Sequence, residues 1–264
     1  MNVKPRLFSP FVAFIVVTLL FLIGPLFAVI PISFTPDSYL SFPTEGASLR
    51  HYEAFFTDMS WIKSTGQSLV IAVLSALIAT VAGTAAAIGL SRLSGPTRGL
   101  ILALALLPLV TPAIISALAF YRGWVAAGLF DSWTGTILAH AILAIPFVVL
   151  IVSSAQSRTN PQLELAARSL GASWWTTQWR VVIPSLKPGI AGGALFSFVV
   201  SWDEVIVTIF ITSQSVVTLP RLMWDTIRDD VSPKIAVIAT IMIVLTAIII
   251  LFATIRSKKG GSQA

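Results

Sequence analysis

Two acids stand where the sequence is otherwise apolar. Asp203 and Glu204 follow Trp202 inside the run from 189 to 211, which holds no other charged residue. An ionised acid at the centre of a membrane helix costs on the order of 2.5–3.5 kcal/mol on insertion scales. Two readings stay open for the pair. It lines a path that attracts cations, or it is satisfied by a basic residue or by backbone of a partner subunit. Neighbouring residues on a helix point about 100° apart, so at most one of the two faces directly into a narrow pore. Trp202 offers a ring face to an ammonium group, although a packing tryptophan is the simpler reading. The other reactive residues are few. Two histidines and no cysteine exclude disulfides, zinc–thiolate sites and thiol catalysis, and leave little for a metal centre. His140 reads as a buried hydrogen bond between helices and not as a proton relay. There is no G-x-x-x-x-G-K-[ST] loop and no Gly-Lys dipeptide to cradle a nucleotide's phosphates. Any work the chain does must draw on a partner or on an ion gradient.

A second constellation lies in the polar stretch of roughly 156–188. Asn160 and Pro161 open a helix as a cap and a first helical residue. Glu164 falls in an early turn, where the helix dipole favours an acid, and Arg168 stands four residues on. Ala166 and Ala167 are small enough to admit a partner's backbone. Gly171 suits a left-handed stop, after which Ser173 caps a second short helix with Trp175 and Trp179 on one face. Pro184 and Pro188 are expected to break that helix before the next apolar run. The pattern is a helix–turn–helix elbow, for which a plain connecting loop with interfacial tryptophans is the competing description.

The elements that position these residues follow from composition. Of 264 residues, 56% are hydrophobic and 11% are charged, with a mean hydropathy of +0.91. A soluble domain carries about 25% charged residues, so a soluble enzyme, a disordered chain and a nucleic-acid-binding domain are excluded. Six runs are long enough to cross a bilayer as helices: roughly 10–30, 64–90, 100–121, 134–155, 189–211 and 235–255. The first is expected to persist as a span and not to be removed as a signal peptide, because its apolar stretch is too long. With both termini placed in the cytoplasm, the inner segments hold eleven basic residues and one acid, Glu164. The outer loops hold six basic residues and eight acids. This is the positive-inside pattern, so the +6 net charge is mainly a topology signal. In the outer loop, residues 48–56 predict a short amphipathic helix. Gly189 and Gly193 form a G-x-x-x-G that permits close helix approach and is a weak mark of a subunit seam.

The elbow resembles the EAA motif of permease subunits of type I ABC importers. Ala166, Ala167 and Gly171 match at the motif's spacing, and Ile183-Pro184 stands for its closing Leu-Pro. The motif's glutamate falls on Leu165, with Glu164 one position earlier. Leu107–Pro112, Ile145-Pro146-Phe147 and Ser201–Glu204 extend the likeness over essentially the whole chain, which is most similar to the C-type permease of spermidine/putrescine transporters. The resemblance implies an all-α membrane protein of the MetI-like fold. It would be one permease domain over 1–264, with six spans and a coupling elbow at 156–188. It further implies residence in the bacterial inner membrane as a multi-pass, non-enzymatic subunit. Its partners would be a second permease subunit in a heterodimer, two ATPase subunits and a periplasmic substrate-binding protein. ATP and Mg would sit on the ATPases, with no cofactor on this chain. Leu165 in the glutamate's place puts in doubt any salt bridge that residue makes to an ATPase. The main alternative is a secondary transporter that uses Asp203 or Glu204 for ion coupling, which leaves the elbow unexplained. An intramembrane enzyme lacks any recognisable catalytic pairing.

Overall fold

The computed structural model describes residues 10–44, 46–229 and 232–261. The expectations for Lys4, Arg6, Glu45 and Asp230, and for the side chains of Asp229, Arg256, Lys258 and Lys259, lie outside the described residues. Among the described residues the regular structure is entirely helical. In chain order it comprises α1 (Pro10–Ile32), α2 (Arg50–Thr57), α3 (Met59–Leu90), α4 (Gly95–Val110) and α5 (Ala113–Ala127). Then follow α6 (Trp133–Gln156), α7 (Gln162–Ser169), α8 (Trp174–Thr177), a π-turn (Gln178–Val182) and α9 (Ile183–Ser185). The chain continues with α10 (Lys187–Trp202), α11 (Ile206–Ile211), α12 (Leu219–Asp229) and α13 (Lys234–Gly261).

Four helices (α1, α3, α6 and α13) are long and apolar enough to cross a membrane unaided, and two bent pairs raise the number to six if each pair is one span. The third apolar run is not the single helix its hydropathy suggests. It is α4 and α5, bent by 101°. The cause is Pro112, which has no N–H to donate and pushes its predecessor out of the helical region. Thr111 is extended (φ −75°, ψ 128°), and its hydroxyl turns back to the Leu107 carbonyl at 2.8 Å. The fifth run is likewise broken. α10 ends at Trp202, α11 begins at Ile206, and Asp203 and Glu204 occupy the non-helical gap.

The chain falls into two compact units, 1–62 with 225–245, and 63–224 with 246–264. In the first, α2 is the expected amphipathic helix, with His51 and Phe55 buried. His51 Nε2 lies 2.8 Å from the Asp37 carbonyl, and the Tyr52 hydroxyl lies 2.7 Å from Ser33 Oγ. The second unit is organised around α6, which carries a core of Ala141, Ala144, Val148 and Val152. Small residues let its neighbours approach. A Cβ on Gly83 of α3 would lie 2.6 Å from Val148 Cβ, one on Gly193 of α10 would lie 3.2 Å from Val148 Cγ1, and one on Gly189 would overlap Ala155. The G-x-x-x-G of α10 is therefore used within the chain, against α6, and is not left open as a subunit seam.

Candidate functional site

The elbow forms much as its residues dictate. Asn160 Oδ1 accepts the Gln162 N–H at 2.9 Å at the head of α7. Gly171 is left-handed (φ +85°), and the Ala172 N–H reaches back to the Ala167 carbonyl at 3.1 Å. Ser173 accepts from the Thr176 N–H at 3.2 Å and so caps α8. The second arm departs from expectation. Pro184 does not end it but lies in the first turn of α9, where a missing N–H costs least. The turn before it has widened to a π-turn, with the Ile183 N–H bonded to Gln178 O. The actual corner falls at Leu186, where Trp174–Ser185 and α10 meet at 70° and Pro188 again sits in a first turn.

What the elbow presents is apolar. Leu163, Leu165, Leu170, Trp175 and Trp179 are all exposed, Leu170 at 89%. Ala166 and Arg168 are exposed and Ala167 is half-buried. A cluster of large apolar side chains in an otherwise polar segment marks an interaction surface. Glu164 does not pair with Arg168 four residues on. It meets Arg92, beyond the end of α3, at 2.9 Å. The sequence had offered Arg92 only as a charge that fixes orientation. Nothing in 72 residues of separation announces the contact.

At the break between α10 and α11, Asp203 closes the former, its N–H on the Val199 carbonyl at 3.1 Å. Glu204 caps the latter, Oε1 accepting the Val207 N–H at 2.8 Å. The two acids are thus parted by backbone geometry and not by a helical rotation. Glu204 is partly engaged with the chain's own backbone. The Asp203 carboxylate is exposed and has no partner among the described residues. Trp202 is 2% exposed and stacks on Phe198 at 5.9 Å between ring centroids, so both its faces are not open to a ligand on this chain. His140 spans the break, as a buried hydrogen-bonded residue should. Nδ1 lies 2.8 Å from Ser201 Oγ and Nε2 lies 2.9 Å from Thr208 Oγ1. One residue of α6 thereby holds both α10 and α11.

Sequence reasoning also missed a polar clasp on the segment after α11. Asp131, itself at φ +51°, accepts the backbone N–H of Ser213 at 2.7 Å and of Gln214 at 3.1 Å. It also accepts the N–H of Ser215. Burial opposes its charge, but these N–H groups prevail and bring the carboxyl down to about 2. Gln67 adds a two-sided amide pair to Ser215 O and Val217 N. Ser68 accepts the Leu219 N–H at 2.7 Å. The second apolar run was expected to begin near residue 64, so that Gln67 and Ser68 would lie in its opening turn. They lie instead inside α3, which begins eight residues before Gln67.

Comparison with known proteins decides the family. Residues 79–258 match the family described as binding-protein-dependent transport system inner membrane component. The chain belongs to this family. It is the non-catalytic membrane subunit of an ABC importer, in which ATP hydrolysis falls to a separate subunit. It is 27% identical to the spermidine/putrescine transport system permease protein PotC of Haemophilus influenzae, over 94% of this chain and 96% of that one. It is 30% identical to the putrescine transport system permease protein PotI of Escherichia coli, over 92% and 89%. A bacterial ABC transporter that imports the acidic polysaccharide alginate shares its fold, with a TM-score of 0.73, 18% identity, and coverage of 96% and 95%.

Proposed function

We propose that this permease subunit imports a polyamine, of the spermidine or putrescine type, as half of a heterodimeric pore. It would work with two ATPase subunits and a periplasmic binding protein. The names of its relatives support the substrate, and the exposed carboxylate of Asp203 supports a cation over an anion. Asp203 and Glu204 form the pathway region, with Asp203 the residue that meets the ammonium groups, while Trp202 is buried against Phe198 and supports the end of α10. The chain runs as one permease domain of six spans, counting α4–α5 and the elbow–α10 pair as one each. Both termini lie in the cytoplasm of a bacterial inner membrane, as the distribution of Lys and Arg supports.

The observation that carries the mechanism is the exposed apolar elbow. Glu164, Leu165, Ala166, Ala167, Arg168, Gly171 and Pro184 build a rigid two-armed corner that fits a groove on an ATPase. Closure of the ATPases around ATP and Mg drives the corners of the two permeases together and turns the pathway outward. This chain supplies no cofactor to that cycle. The test is uptake by proteoliposomes holding the co-purified subunits. ATP-driven, binding-protein-dependent uptake of spermidine or putrescine is expected. Uptake of an anion or a neutral sugar instead would overturn the substrate. Ion-driven uptake by this chain alone would overturn the importer mechanism.

A further inference from the structure

We infer that Arg92 is a positioning residue for energy coupling, the joint through which movement of the elbow reaches α3. The inference rests on the reading of the elbow as the ATPase-coupling element. Arg92 lies two residues beyond the end of α3 and touches both arms of the elbow. Its Nη2 donates to Glu164 Oε1 of α7 at 2.9 Å, and its guanidinium carbon lies 5.8 Å from the centroid of the Trp174 ring of α8. A planar guanidinium is suited to both at once, its edge on the carboxylate and its face toward the ring. A second tie runs beside it, from Gln156 Nε2 at the end of α6 to Ser91 Oγ at 2.8 Å. The ends of α3 and α6 and both elbow arms therefore meet at Ser91-Arg92. The Arg92 and Glu164 side chains are 35% and 28% exposed. A pair this open to solvent adds little to stability, so its consequence is directional. A push on α7 or α8 is delivered to α3, whose wall packs on α6 through Gly83.

The experiment uses the reconstituted complex and reads substrate moved per ATP hydrolysed. Arg92→Gln is expected to leave ATPase co-purification intact and to lower that ratio by about 5-fold, the low end of typical coupling effects. Arg92→Lys should recover part of it. The exchange Arg92→Glu with Glu164→Arg should recover more than either single change. An unaltered ratio in Arg92→Gln overturns the inference, as does an exchange no better than Arg92→Glu alone. Ala166→Trp on the elbow's exposed face separates the two claims. If Ala166→Trp abolishes co-purification while Arg92→Gln transports normally, the joint alone is wrong. If Ala166→Trp has no effect on assembly or transport, the elbow reading itself fails.

Discussion

Replacing His140 with leucine removes one side chain and two ties. The imidazole is 1% exposed, and its hydroxyl partners are as deeply buried, Ser201 at 5% and Thr208 at 0%. Leucine is of similar volume, so the cavity contribution is small. What remains is polar. Hydrogen bonds between membrane helices average about 0.6 kcal/mol each, with an upper value near 1.7. Two such bonds give about 1.2 kcal/mol. Thr208 keeps its bond to the Glu204 carbonyl at 3.3 Å, so the hydroxyl left in want of a partner is that of Ser201. An unsatisfied buried group adds about 1–3 kcal/mol. The expected loss is thus about 2–4 kcal/mol, or roughly 30- to 800-fold in the unfolding equilibrium. The assay is SDS-driven unfolding of the purified chain in mixed micelles, followed by tryptophan fluorescence. His140→Gln, which keeps a donor and an acceptor, should lose less than His140→Leu. A His140→Leu variant within about 0.3 kcal/mol of the native chain would refute the reasoning, because the clasp would then contribute nothing net.

Three further outcomes are expected. Asp131→Ala frees the N–H groups of residues 213–215 and should raise amide exchange there at neutral pH. In the native chain the carboxyl is lowered from 3.8 to about 2, so its anchoring is complete above about pH 4 and is lost as pH falls through 2. Exchange in 213–215 that does not respond to either change would count against the clasp. Gly189→Leu forces a branched side chain onto Ala155 and should destabilise the α6–α10 pair by about 1–3 kcal/mol, read as a lowered melting midpoint. A midpoint that does not move would mean the two helices are not in contact. Asp203→Asn should lower uptake of a dicationic polyamine while the purified complex keeps its subunits, and undiminished uptake would remove Asp203 from the pathway.

How much of this was legible in the sequence depended on the range of the signal. The elbow is local chemistry. Asn160, Gly171 and Ser173 each act within four residues, and each takes the part its type predicts. The spans are legible as apolar length, but length does not report continuity. Hydropathy is blind to the break at Thr111-Pro112, where the proline was visible but its 101° consequence depends on room for the bend. The gap at Asp203–Val205 is harder still, since no proline or glycine marks it. There the signal was the acids themselves. Glu204 stands three residues before the N–H it accepts, the spacing of a cap, but reading it as one requires knowing that a helix starts there. The long-range ties were out of reach. Arg92 to Glu164, Asp131 to 213–215 and Gln67 to 215–217 each join segments more than 70 residues apart, and one sequence without relatives carries no trace of such pairings. His140 is the exception in kind: a lone buried histidine had to find partners, although which partners was open.

The central claim is that the elbow is the surface on which an ATPase acts, and the absence of native cysteine makes it directly accessible to test. Leu165→Cys gives the chain one thiol, at the exposed position where the motif's glutamate would stand. In the assembled, transport-competent complex it should cross-link to a cysteine placed in the groove of the ATPase subunit, with a yield that changes when ATP binds. A transporting complex in which Leu165→Cys forms no such cross-link, and is instead labelled by an impermeant maleimide from the outer face, would contradict both the docking and the topology.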